Sequence, residues 1–138
     1  IDAYATGKLN LEKHDIIALI KKAKQLGIKV GGNYTFGYPD ETLDEMNATI
    51  DIAKRHIEAG LDKANFVIIT PFPGTQFYDY VITHDLFLPG IDIGMLDWMR
   101  PSIKTLIPSS TLEYVITEIW KDINNQERIA ILRSMVPQ

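Results

Sequence analysis

The chain has 138 residues, 46% of them hydrophobic, with 18 acidic against 14 basic side chains and a formal charge of −4. That is one domain's worth of core, with no basic block to meet a nucleic acid and no apolar run near the ~20 residues a membrane span needs. There is no cysteine, which excludes disulfides, thiolate catalysis and any all-cysteine zinc or iron–sulfur site built from this chain alone.

No signal-peptide pattern opens the chain, and a cytoplasmic location is the default expectation. Ile1 to Asn10 has no clear period. Asn10 is a candidate cap for a helix from Leu11, in which Ile16, Ile17, Ile20, Ala23 and Leu26 share one face. Lys21, Lys22 and Lys24 gather toward its C-terminal end, where positive charge suits the macrodipole, and Gly27 suits the position after the cap. Ile28 to Phe36 reads as the first strand, with Gly31-Gly32 marking a weak point, a bulge or close packing.

Asn33 to Thr42 reads as a strand end, a sharp turn and the first turn of a helix. Gly37 allows a close approach of backbone, while Pro39 fixes its own φ and pushes Tyr38 toward extended conformations, so the strand stops there. Thr42-x-x-Glu45 matches a capping box, with Asp40 and Glu41 adding negative charge at the helix start. The helix, Glu41 to Ala59, carries Leu43, Met46, Ile50, Ala53 and Ile57 as one stripe and ends at Gly60. Phe66-Val67-Ile68-Ile69 is a continuous apolar run, expected of a strand covered on both faces. Strand, helix and strand make a βαβ unit, parallel and right-handed. By itself the stretch from Asn33 to Thr42 also fits an ordinary βα connection.

The second strand stops at Thr70-Pro71-Phe72-Pro73-Gly74-Thr75, and Thr75 can cap a short helix from Gln76 to about Thr83. Both strands thus end in unusual turns on the carboxyl edge, the usual ligand side of parallel strands. From Leu86 to Pro108 the pattern loosens, and Trp98, Met99 and Arg100 look like a patch folded onto something. Ser110-x-x-Glu113 is a second capping box, opening a helix with Leu112, Val115, Ile116, Ile119, Trp120 and Ile123 on one side. Asn124-Asn125 interrupts it, and Ile129, Leu132 and Met135 suggest a last helix. His14, His56 and His84 have no metal-binding spacing and are expected at the surface or in caps.

Gly27-Ile28, Gly37-x-Pro39-x-Glu41-Thr42 and Pro71-x-Pro73-Gly74-Thr75-x-x-Tyr78, in this order, resemble the C-terminal half of a radical S-adenosylmethionine (SAM) domain. The likeness is greatest to the cobalamin-binding radical SAM proteins, where a Gly-x-Pro-Gly-Glu-Thr turn follows strand five and a Pro-x-Pro-Gly-Thr turn follows strand six. Leu96-Asp97-Trp98, Ile119-Trp120 and Asn124-Asn125 resemble the tail of that group, and the likeness covers roughly residues 5 to 130.

The resemblance implies an α/β fold, the last βαβ unit of a (βα)6 partial barrel over residues 1–84, followed by a mostly helical extension over 85–138. It implies a full-length parent that binds SAM and a 4Fe–4S cluster, a methyltransferase or Fe–S oxidoreductase, and it points to cobalamin as a further cofactor. The cluster's Cys-x3-Cys-x2-Cys loop, strands one to four and a cobalamin domain are absent here. The chain is therefore expected to be a fragment or a cluster-less subunit, inert alone, with the missing N-terminal half of the barrel as its partner. Carried over by position, the cofactor-binding segments are Thr35, Phe36 and Gly37 on the first strand and Ile69, Thr70 and Pro71 on the second. Asn33 stands for the family's first glycine, Thr35 for its central apolar residue and Asp40 for the second glycine of the turn. No catalytic residue and no metal ligand is assigned to this chain.

Two other readings are a non-catalytic α/β interaction module derived from such a barrel, and an unrelated α/β enzyme using Asp40, Glu41 or His84 as acid–base groups. The latter lacks a suitably spaced partner base. No nucleic-acid or membrane partner is expected. A homo-oligomer is expected through the exposed edge of the strand Ile28 to Phe36, since strand four of the barrel is missing.

Overall fold

A computed structural model describes residues 15–123. The first helix, α1 (Ile16–Gln25), starts later than its apolar stripe predicts. Asp15 is extended and its carboxylate accepts the Ala18 N–H at 2.9 Å, so the cap is here. The expected cap Asn10 and the helix start at Leu11 lie outside the described residues. At the other end the Ile28 N–H reaches the Ala23 carbonyl at 2.9 Å and the Gly27 N–H reaches Lys24 at 3.0 Å, a Schellman closure. Leu26 is the cap residue and is exposed, so it leaves the buried stripe.

Because Ile28 is engaged in that closure, the strand cannot begin there; β1 runs Gly31–Phe36. Its entry is tied by Asp62, whose carboxylate accepts the Val30 N–H at 2.8 Å and pairs with Lys24, while its own N–H reaches the Val30 carbonyl at 2.9 Å. The next helix, α2 (Leu43–Glu58), has the predicted capping box at Thr42 and Glu45. Met46, Ile50 and Ala53 of its stripe are buried, whereas Leu43 in the first turn is exposed.

The second strand, β2 (Lys63–Ile68), pairs with β1 in parallel, from Gly31 opposite Lys63 to Phe36 opposite Ile68. Alternation then sorts the side chains. Tyr34, Phe36, Ala64, Phe66 and Ile68 point into one core with Ile20, Met46, Ile50, Leu112 and Ile116. Phe66 stacks on Tyr34 and Phe36, with centroids 5.5 and 6.1 Å apart. The unbroken run Phe66 to Ile69 predicts cover on both faces, but Asn65, Val67 and Ile69 are only partly buried and Asn33 is exposed. The helices cover one face of the sheet. His56, expected at the surface or in a cap, is instead half-buried, its Nδ1 2.9 Å from the Tyr34 hydroxyl; burial lowers its pKa.

Thr75 caps α3 (Gln76–Thr83) as predicted, accepting the Tyr78 N–H. Beyond it, Phe87 and Ile103 form an antiparallel bridge, and Phe77, Val81 and Ile103 make a second small core. A 3-10 turn follows at Ile93–Met95. Trp98, Met99 and Arg100, predicted to fold onto something, keep their side chains exposed. The last described helix, α4 (Ser109–Ile123), packs on β2. It starts directly after Pro108, whose carbonyl accepts from Thr111 and Leu112, so Ser110 sits inside the first turn and is not the cap. The break at Asn124-Asn125 and the last helix lie outside the described residues.

Among the described residues no strand pairs with the outer edge of β1. Two strands make too small a sheet to leave such an edge unused. Light scattering at micromolar concentration should therefore find a dimer or larger species; a clean monomer of 15.6 kDa would contradict this.

Candidate functional site

The two strand ends and their turns form one edge. After Phe36 the chain reverses at Gly37, which has φ +84° and is buried. A Cβ there would lie 3.3 Å from Leu112 Cδ1 and 3.4 Å from Ile68 Cγ2, so glycine permits both the conformation and the close approach of α4. The Gly37 N–H donates to Glu41 Oε2 at 2.6 Å, and the Glu41 N–H closes the turn on the Tyr38 carbonyl at 3.1 Å. Glu41 is 4% exposed. Burial raises its pKa, the bonds to the Gly37 and Tyr38 backbone oppose the rise, and nearby Glu45 and Asp40 add to it. Tyr38 packs on Phe77, and the Leu106 N–H takes the Pro39 carbonyl at 3.1 Å, so the turn is held from three sides.

After β2 the Ile69 N–H donates to the Phe36 carbonyl at 2.8 Å. The Thr70 hydroxyl shares its one proton between the carbonyls of Asp97 at 2.9 Å and Ile68 at 3.1 Å. Pro71 is buried, and the Phe72 and Thr75 backbone closes the turn into α3. All six strand-end residues singled out from the sequence thus lie on one edge, but they do not present themselves alike. The Phe36 ring points into the core and is fully buried. The amides of Gly37 and Ile69 are engaged inside the protein. Thr35 lies on the uncovered face, half-buried, and its hydroxyl has no bond among the described residues. Ile69 and Thr70 are half-buried as well, but Ile69 packs on Phe77, Val81 and Ile103 and the Thr70 hydroxyl is engaged with backbone carbonyls.

Three features of the site lie outside the sequence reading. The Glu41 carboxylate reads as a helix-start charge; the signal available was its spacing of four from a glycine whose amide has nowhere else to go. Asn65 Nδ2 donates to Asn33 Oδ1 at 2.9 Å across the uncovered face, flagged only by asparagine at matching places in both strands. Asp97 binds Arg100, an i, i+3 pair. Of the two threonine hydroxyls at this edge, that of Thr70 is bonded to backbone carbonyls and that of Thr35 has no bond among the described residues. Glu41 holds the turn, and His84 Nδ1 sits 2.8 Å from the Tyr80 carbonyl at the end of α3. No group of three His, Cys, Asp or Glu among the described residues could hold a metal ion. A depression of about 280 Å³ lies along the 90–102 segment and holds none of the six strand-end residues. Among the described residues no helix is long and apolar enough to cross a membrane.

Removing the Glu41 carboxylate leaves a buried N–H unmatched, so Glu41→Ala should lower stability by about 1–3 kcal/mol in denaturant melts. Glu41→Gln keeps an acceptor and should lose less. Because the folded state raises this pKa, it holds the proton more tightly than the unfolded chain, and stability falls as pH rises through the carboxylate range. Glu41→Gln should therefore gain on the wild type between pH 4 and pH 7; parallel pH profiles would contradict this.

The chain is 42% identical over 102 residues, 74% of its length, to an uncharacterized methyltransferase of Pyrococcus horikoshii. It is 28% identical over an alignment of 137 residues, 89% of its length, to the bacteriochlorophyllide d C-8(2)-methyltransferase of Chlorobaculum tepidum. It spans 20% of the first relative and 28% of the second. No family model matches it. The chain is similar to short parts of two longer proteins, both named methyltransferases.

Proposed function

We propose that this chain is part of the SAM-binding side of a radical SAM methyltransferase barrel, with residues 1–84 as the last βαβ unit and 85–138 as its extension. The observation that carries the reading is the similarity to two longer proteins named methyltransferases, over 20% and 28% of their lengths. The sheet supports it. Helices cover one face of a parallel pair, while Asn33, Thr35, Asn65 and Val67 stand on the other, as side chains lining a barrel interior would. Both strands end in tightly held turns on the same edge, where such folds place their ligands.

In this reading SAM, when bound, supplies the activated methyl group. The chain's own residues bind and orient it: Thr35 offers a hydroxyl, Ile69 and Thr70 offer a wall, and the turns at Gly37 and Pro71 keep the edge fixed. The 4Fe–4S cluster does not fit the residues present, because the chain has no cysteine to ligate it. The rest of the barrel has to bring it, and by itself the chain is inert. Cobalamin dependence belongs to the same proposal and rests on the likeness of the two turns to those of the cobalamin-binding group.

The coding sequence upstream of Ile1 is the first test, and it should encode Cys-x3-Cys-x2-Cys in the same frame. In the protein made from that longer frame, Thr35→Val should raise the SAM dissociation constant about three- to tenfold, the worth of one hydrogen bond, with the melting temperature unchanged. A longer frame without that motif would overturn the radical SAM reading. An unchanged dissociation constant would remove Thr35 from the site.

A further inference from the structure

One edge of β2 pairs with β1. Its other edge meets no strand among the described residues, yet it is not bare. The Ile68 N–H donates to the Trp98 carbonyl at 2.8 Å, and the Thr70 hydroxyl donates to the Asp97 carbonyl at 2.9 Å. A segment far along the chain thus lies against the carboxyl end of β2 and offers two main-chain acceptors in succession.

What aims those acceptors is a single carboxylate. Asp97 Oδ1 accepts the N–H groups of Met99 at 2.8 Å and Arg100 at 3.0 Å. Asp97 Oδ2 accepts Arg100 Nε at 2.8 Å and Nη2 at 2.6 Å, a side-on fork. The turn is therefore fixed by its own side chains, Asp97 half-buried and Arg100 largely in solvent. The Arg100 guanidinium and the Met99 N–H hold the Asp97 carboxyl below the usual carboxylate range, so it stays ionised and able to accept. Asp92 fixes the preceding 3-10 turn in the same way, accepting the Gly94 N–H at 2.9 Å.

We propose that Asp97 and Arg100 form a latch that closes the outer edge of β2 and holds Thr70 in place at the ligand edge. They are positioning residues, since neither is among the strand-end residues of the site. With the latch made, the Thr70 hydroxyl is committed to backbone carbonyls and turns its remaining surface toward the edge. With the latch broken, the 97–98 segment leaves, the Ile68 amide meets water, and the carboxyl end of β2's outer edge opens in the way that recruits another chain. The effect on Thr70 as a cofactor contact rests on the SAM reading above; the closing of the edge does not.

Amide exchange on this chain tests the latch without any ligand. Arg100→Gln removes the fork from an exposed side chain, so the variant keeps its core. The Ile68 amide should exchange about three- to tenfold faster, while the Ile69 amide, bonded to Phe36 inside the sheet, should not change. Arg100→Lys keeps the charge but not the fork and should fall between. Equal exchange at Ile68 in wild type and variant, or equal acceleration at Ile68 and Ile69, would overturn the latch. In the longer protein, Arg100→Gln should weaken SAM binding about threefold or more if Thr70 is positioned this way. Unchanged affinity, with Ile68 still accelerated, would overturn the positioning of Thr70 and leave the edge closure standing. Absence of SAM binding in the wild type as well would count against the SAM reading and not against the latch.

Discussion

The hydrogen bond from the Gly37 amide to the buried Glu41 carboxylate is the constraint on which the rest of the strand-end edge depends. A strand that ends under a packed helix must turn without leaving a bare amide in the core. The local sequence solves this within five residues. Gly37 supplies the left-handed conformation and the room for Leu112, Pro39 stops the ladder, and Glu41 returns to accept the orphaned N–H. Once the turn is set, Phe36 lies in the core opposite Ile68, and α2 starts at Leu43 with Thr42 as its cap. The carboxylate bears a desolvation penalty in that place, visible in its raised pKa. An uncapped N–H in the same place would be worse.

The elements set by neighbours in sequence were legible beforehand. Thr42 and Thr75 are caps because a hydroxyl followed three residues later by an available N–H, with Glu45 reciprocating at the first, needs nothing distant to form. The parallel pairing of β1 and β2 follows from a helix-length crossover. What failed was set by partners far away or by competition for one amide. Ile28 belongs by composition to the strand, but its N–H already closes α1. Ser110-x-x-Glu113 has the same signature as the true box, yet Pro108 begins the helix earlier and carries Ser110 into the first turn. The one-sided cover of β2 cannot be read from an apolar run, because Val67 is apolar whether or not a helix sits on it. The six strand-end residues all fall at the carboxyl ends of the two strands, but which of them face outward depends on alternation and on α4.

The two outer edges of this small sheet are treated differently. The edge of β2 is closed at its carboxyl end by the main chain of Asp97 and Trp98, whereas the edge of β1 has no strand beside it among the described residues. The uncovered face differs from the helix side as well, with an amide pair and a threonine in place of the aromatic stack. These asymmetries support the proposed reading, in which the chain supplies an edge and part of a wall to a larger α/β architecture.

The most direct measurement of the central claim is the exchange of the Gly37 amide, followed residue by residue in the native protein. With its N–H held by Glu41 inside the core, Gly37 should exchange as slowly as the Ile69 amide of the sheet, although it stands in a turn. Exchange at the rate of an exposed turn amide would contradict the account, because the Gly37 N–H would then not be held by the Glu41 carboxylate.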